Sequence, residues 1–288
     1  MRNFMELLRV QWAKGNFVCV GLDSEFDKIP ESAHRMKGIS TTIVAFNRAI
    51  VETTKDIVCA YKPNAAFYEA HGSIGWVALR DTIIDIHRIA PNVPVILDAK
   101  RADIGNTNNG YVQMAFDYLK ADAITVHPYL GQEALQPFLD RADKGVIVLC
   151  RTSNPGAGEF QDEDVAGDNV PNGYMPLYKY VAYQVSHKWN REGNCALVVG
   201  ATYPDELCEV RGLIGDMPIL IPGVGFQQKD VPIEKQVEQV VSAGKNSHDD
   251  GMIINSSRGI IFASKGADFA EAARRETLKL HDLINQFR

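Results

Sequence analysis

VPVILDAKRADIGN, residues 93–106, is the stretch from which the rest of the chain is read. Val93–Leu97 is a short, almost unbroken apolar run, the pattern of a parallel strand covered on both faces. Asp98 and Lys100 stand at its end, and Asp103 follows in a turn that contains Gly105. Residues two apart on an extended backbone point to the same side, so Asp98 and Lys100 are predicted to share one site. Asp103 lies beyond the strand end, where the chain can aim it at the same lysine or at a neighbouring subunit. An ordinary salt-bridge network is the plainer reading, and exposed pairs of that kind contribute only about 0–1 kcal/mol. Charges at the end of a buried strand are costly unless paired, however, and clustered titratable groups are common at reactive sites.

Outward from this stretch, apolar runs alternate with longer amphipathic segments along the whole chain. Strands are predicted at 17–22, 57–63, 93–100, 122–128, 145–150, 195–200, 217–223 and 251–256. Helices are predicted at 40–55, 73–89, 107–119, 131–141, 177–191, 204–213, 233–244 and 267–286, each long enough for a right-handed parallel crossover. Eight β/α units in 288 residues point to an α/β TIM (β/α)8 barrel forming a single domain over 1–288. Residues 154–176, rich in glycine, proline and acidic side chains, are predicted to be an irregular loop insertion after the fifth strand, either a surface excursion or a cover for a substrate.

Composition narrows the function. With 30 basic and 36 acidic residues the net charge is −6, a field mildly repulsive to nucleic acid and to anionic membranes, so any anion must be held locally. The amino terminus scatters charges through its apolar positions, which predicts no secretory leader, and no apolar run approaches the roughly 18 residues of a membrane span. Cys19, Cys59, Cys150, Cys195 and Cys208 lack metal or redox spacing and read as thiols in a reducing, cytoplasmic setting. Neither a convincing dinucleotide fingerprint nor a spaced metal-ligand cluster is present, so no cofactor and no metal are expected.

Other strand ends supply further candidates. Lys62, in AYKPN, brings a second amine, and Pro63 biases it toward an extended conformation. Alternating acids and amines can keep every member ionised at neutral pH. Asp23, in GLD, can accept hydrogen bonds from sugar hydroxyls or cap a following helix. Ser153, in RTSNPG, can read the edge of a heterocycle or cap a turn. Gly223 and Gly225 in PGVGFQ, with Arg258 in NSSRG, fall where barrels usually hold phosphate, and Gln227 can contact phosphate or a nearby hydroxyl. His127, also near a strand end, reads as structural.

Taken together, GLD at 21–23, KPN at 62–64, DAKRADIGNT at 98–107, TSNPG at 152–156, PGVG at 222–225 and SRG at 257–259 closely resemble the orotidine 5'-phosphate decarboxylase family, especially its longer bacterial type. The resemblance implies a homodimeric TIM barrel that converts orotidine 5'-monophosphate to uridine 5'-monophosphate and carbon dioxide without a cofactor. It implies Asp98 and Lys100 at the reacting centre, Lys62 in the supporting charge network, and Asp103, Ile104 and Thr107 contributed across the dimer interface. It further implies Asp23 on the ribose, Ser153 on the pyrimidine, and Arg258, Gln227 and the Gly225 turn on the phosphate side. The GlnLys after Gln227 departs from the small residues of many relatives. A related phosphosugar decarboxylase or aldolase on the same barrel is the alternative; its usual acidic metal ligand after the second strand is replaced here by Lys62 and Pro63.

Overall fold

The computed structural model describes residues 2–34, 38–168, 170–225 and 230–288. Eight parallel strands form the barrel: β1 (Val18–Gly21), β2 (Ala60–Lys62), β3 (Ile96–Arg101), β4 (Ala123–Val126), β5 (Gly145–Arg151), β8 (Cys195–Val199), β9 (Ile219–Pro222) and β10 (Met252–Ser256). The order β2-β1-β10-β9-β8-β5-β4-β3 is closed by bridges between Tyr61 and Val95 and between Asn64 and Asp98. This is the predicted TIM barrel, and its strands are buried along almost their whole length. Neighbouring strands are joined through helices that lay their apolar faces on the ring.

The predicted helices fall close to their expected places, among them Ile39–Thr54, Gly72–Ile89, Ile233–Gly244 and Phe269–Phe287. Two end differently from an ideal helix: Gly105–Val112 and Leu177–Gln184 each run on into a wider π-type turn, over Gln113–Tyr118 and Val185–Trp189. Residues 154–176 correct the expectation of an irregular insertion. They hold a short helix, Gly158–Gln161, and an antiparallel hairpin of β6 (Asp164–Ala166) and β7 (Tyr174–Pro176). Only Val165 and Met175 offer apolar side chains at the centre of that hairpin, too few to stand out among its glycines and acids.

An additional helix, Phe4–Trp12, spans the N-terminal mouths of the strands. Phe4 lies against Gly145, where a Cβ would fall 2.3 Å from its ring, and the Trp12 indole donates to the Met252 carbonyl at 2.9 Å. Beside this helix, Asp122 is fully buried and receives Arg2 Nε and Nη2 at 2.8 Å each and the Val95 amide at 2.9 Å. Burial works against its charge, but the Arg2 guanidinium, with His87 at 3.4 Å, outweighs burial and holds the carboxyl at about 2.

Asp122→Ala is therefore expected to lower the free energy of unfolding by about 3 kcal/mol at neutral pH, since it strands a partly buried guanidinium and an amide. The folded carboxyl titrates below the unfolded one, so its contribution is complete above pH about 4 and drains away as pH falls toward about 2. Urea unfolding of the parent and the variant checks both: the gap between them should be widest at neutral pH and narrow steadily below pH about 4.

Candidate active site

The C-terminal ends of the strands carry the predicted residues, and β2 and β3 bring the charged ones together. Lys62 is the last residue of β2, and its Nζ lies 2.9 Å from Asp98 Oδ2 and 3.9 Å from Asp23 Oδ1. Lys100 Nζ lies 2.6 Å from Asp98 Oδ1, and the Thr125 hydroxyl donates to the same oxygen at 2.9 Å. Asp98 thus accepts from two ammonium groups and a hydroxyl while almost fully buried. Burial disfavours its charge, but Lys62 and Lys100 prevail and hold the carboxyl well below the usual carboxylate range. Burial likewise pushes the Lys62 ammonium down, yet the Asp98 and Asp23 carboxylates overcome it and raise it above the ordinary lysine range. Lys62 and Asp98 are therefore both ionised at neutral pH.

Asp98 and Lys100 do meet, though not by the simple alternation of a flat strand. Lys100 has φ +48°, a left-handed conformation that costs an L-residue about 1–2 kcal/mol. The register of β3 against β4 shifts between Leu97 and Arg101. The kink lifts the Lys100 side chain out of the barrel wall, leaving it 48% exposed over the buried Asp98.

Asp103 stands apart from this run. Its Oδ1 accepts from the Ile104 amide at 2.6 Å, Asn108 holds its backbone, and among the described residues it forms no salt bridge within its own chain. Ile104 is 65% exposed and Thr107 is exposed, and neither lines this chain's own cleft.

Asp23 caps no helix: the next helical turn, Phe26–Lys28, has Glu25 at its N-cap and no side-chain cap. Instead Asp23 Oδ1 is buried without a hydrogen-bond partner and lines the cleft. The turn is held by a buried network in which Ser24 donates to Asn47, Asn47 donates to Tyr68 and Thr82, and Tyr68 donates to the Leu22 carbonyl.

Ser153 lines the other side of the cleft, close against Gly200, where an added Cβ would lie 2.6 Å from the serine Cβ. Its neighbour Thr152 is tied to the insertion: the Thr152 amide donates to Gln161 Oε1 at 2.8 Å, and Gln161 Nε2 donates to the Thr152 hydroxyl at 2.9 Å. Arg151 stacks on Tyr203 at 3.8 Å and pairs with Asp162 at 3.1 Å. The insertion is thereby pinned to the barrel, and Gln161 becomes part of the cleft wall.

The cleft has two joined parts. One, about 390 Å³, contains Lys62, Asp98, Lys100, Ser153 and Gln161. The other, about 160 Å³, leads from Asp23 and Lys62 past Gly223 to Arg258. They share Lys62, Asp98 and Pro222. A larger cavity, about 600 Å³, lies between Gly225 and the helices Ile233–Gly244 and Phe269–Phe287, but it contains none of the clustered charges. Gly225 has φ +82°, as a tight turn requires, and its amide donates to Gln236 Oε1 at 3.0 Å rather than pointing unengaged into the cleft. Gln227 lies outside the described residues.

The strand-end reading did not single out Thr125, Gln161 or Asn255. Asn255, on β10, is buried, lines the Arg258 arm of the cleft and leaves Oδ1 without a partner. A lone threonine or asparagine inside an apolar run gives no warning of such a role; only the fold shows which way it points. Among the described residues no group of three or more His, Cys, Asp or Glu side chains is placed to hold a metal ion, and no helix is long and apolar enough to cross a membrane. Cys19, Cys59, Cys150 and Cys195 are buried free thiols, and burial pushes Cys19 up to about 12.

Comparison with known proteins points to one family. Residues 17–275 match the profile of the orotidine 5'-phosphate decarboxylase / HUMPS family. The orotidine 5'-phosphate decarboxylase of Ralstonia pickettii (strain 12J) is 46% identical over 286 residues, 99% of each chain. Among solved structures, the OMP decarboxylase of Leishmania donovani superposes with a TM-score of 0.78 at 36% identity, covering 97% of this chain and 99% of that one. The UMP synthase of the same organism gives 0.83 at 37% identity, covering all of this chain and 57% of that longer one.

Proposed function

The chain belongs to the orotidine 5'-phosphate decarboxylase family, and from that premise we propose how its residues divide the work of releasing carbon dioxide from orotidine 5'-monophosphate to leave uridine 5'-monophosphate, a step of pyrimidine biosynthesis. The observation that carries the assignment is the ion-paired run Lys62, Asp98, Lys100 within one cleft that extends to Arg258.

The phosphate is held by Arg258 and the turn around Gly225, with Gln227 assigned to the same side. The ribose lies at Asp23, whose buried Oδ1 has no hydrogen-bond partner and is an acceptor for a hydroxyl. Ser153 reads the pyrimidine. Binding energy spent on these remote groups lowers the barrier at the reacting carbon. Asp98 places negative charge beside the departing carboxylate, and two unit charges about 4 Å apart interact by roughly 4 kcal/mol at an effective dielectric near 20. As the C6 carboxylate leaves, the bonding electron pair stays on C6 of the ring. Lys100 neutralises that developing charge and delivers a proton to C6, while Lys62 keeps Asp98 anionic and fixed.

The second acid near the carboxylate is assigned to Asp103 of the partner subunit. Asp103 forms no salt bridge in its own chain among the described residues, and it is flanked by exposed Ile104 and Thr107. A homodimer with two shared sites follows, each built from the barrel mouth of one chain and the 103–107 turn of the other. The barrel and its insertion act as one domain over residues 1–288, and a cytoplasmic location fits the free thiols.

The assignment requires no cofactor, metal or Schiff base. Purified protein, exhaustively chelated and given only orotidine 5'-monophosphate, is expected to release carbon dioxide at the rate seen before chelation. Strict dependence on magnesium would instead favour the metal-assisted chemistry of the related phosphosugar enzymes.

A further inference from the structure

The left-handed Lys100 raises a question that the charges alone do not answer: what keeps β3 in this shape. Between Leu97, paired with Ile124, and Arg101, paired with Val126, three residues of β3 face a single residue of β4, Thr125. A bulge of that size frees backbone N–H groups that the ladder would otherwise satisfy, and buried orphan donors are costly. Here the Ala99 amide donates to Thr125 Oγ1 at 3.0 Å, and the Lys100 amide donates to the same oxygen at 2.9 Å. The hydroxyl hydrogen goes to Asp98 Oδ1 at 2.9 Å. One donor and two acceptor sites exhaust what a hydroxyl offers. Thr125 is 1% exposed, and its β-branched side chain has few rotamers open to it, so the oxygen is held in place.

We propose that Thr125 is a positioning residue for the decarboxylation, taking the place of a backbone carbonyl inside the bulge and so fixing Lys100 and Asp98 relative to each other. It acts through the β3 backbone and the Asp98 carboxylate. The proposal deepens the reading in which Lys100 protonates C6 and rests on that reading.

Thr125→Val removes the hydroxyl at nearly constant volume, and Thr125→Ser keeps it. The valine variant is expected to lose ~100-fold in kcat while KM for orotidine 5'-monophosphate stays within ~3-fold, because phosphate and ribose are gripped from other strands and a small misplacement of the reacting group is costly. The serine variant is expected to regain activity to within ~5-fold of the parent, since the two amides and Asp98 keep their partner. Should the valine variant fail to fold, Thr125→Cys, a weak acceptor of similar size, takes its place with the same expected outcome.

A folded hydroxyl-less variant within ~3-fold of the parent in kcat, or a serine variant as slow as the valine one, overturns the proposal. Lys100→Ala in the same assay separates the two readings. If that variant turns over normally, the assignment of Lys100 falls, and the positioning role falls with it. If Lys100 is required and the Thr125 variants are unharmed, only the positioning role is lost.

Discussion

Lys100→Ala is expected to reduce kcat by at least ~10⁴-fold while leaving the fold intact, because one side chain supplies both the proton for C6 and the charge that stabilises the carbanion. Positioned general acids contribute ~10²–10⁴ and preorganised charge of this kind another ~10²–10³, and both are lost at once. Stability should hardly change. The Lys100 side chain is about half exposed, Asp98 keeps Lys62 and Thr125 as donors, and alanine meets the same left-handed backbone requirement as lysine. The expected shift in unfolding free energy is within about 1 kcal/mol. Single-turnover decarboxylation, alongside urea unfolding, checks both halves. A correctly folded variant with near-parental turnover would remove Lys100 from the proton-transfer step.

Asp103→Ala is expected to be almost as damaging, on the order of 10³-fold in kcat, although in the folded chain this acid does little besides accept from the Ile104 amide. The contrast is informative. By its contacts within one chain, Asp103 is a residue whose loss should cost well under 1 kcal/mol of stability. A large kinetic effect with an unchanged melting temperature would therefore place Asp103 in the chemistry rather than in holding the fold. If the variant instead retains parental turnover, Asp103 has no part in the chemistry, and the reacting centre belongs to one protomer.

Much of the barrel was legible because parallel strands covered on both faces leave a plain record: VCVG and CALVV are uninterrupted apolar runs, AITV is broken only by Thr125, and all are buried. The helices were legible from their amphipathic period, and Ile233–Gly244 falls on its expected limits. Elements held by tertiary contact rather than by pattern were not. The role of the helix Phe4–Trp12 depends on Phe4 meeting Gly145, far along the chain. The β6–β7 hairpin is three residues on each side and is tied down by its surroundings.

The candidate site divides the same way. Residue type and position at strand ends were enough to gather Lys62, Asp98 and Lys100, and the open question at Asp23, ribose acceptor or helix cap, is narrowed by the absence of any cap. The bulge that sets Lys100 could not be read, because a β-branched threonine in an apolar run signals only strand. Nor could the engagement of the Gly225 amide by Gln236, which comes from a helix that begins eight residues after Gly225. In both cases one side-chain oxygen stands in for a backbone partner, and such a substitution leaves no periodic trace.

In the proposed site charges from two chains meet at one carbon, and mixing two inactive variants measures that directly. Lys100→Ala and Asp103→Ala, each nearly inert alone, are to be unfolded together, refolded and assayed with orotidine 5'-monophosphate. Random pairing of protomers should restore about a quarter of the parental sites, because the mixed dimer contains one site with an intact Lys100 and the partner subunit's intact Asp103. A mixture no more active than its two components would contradict the shared site.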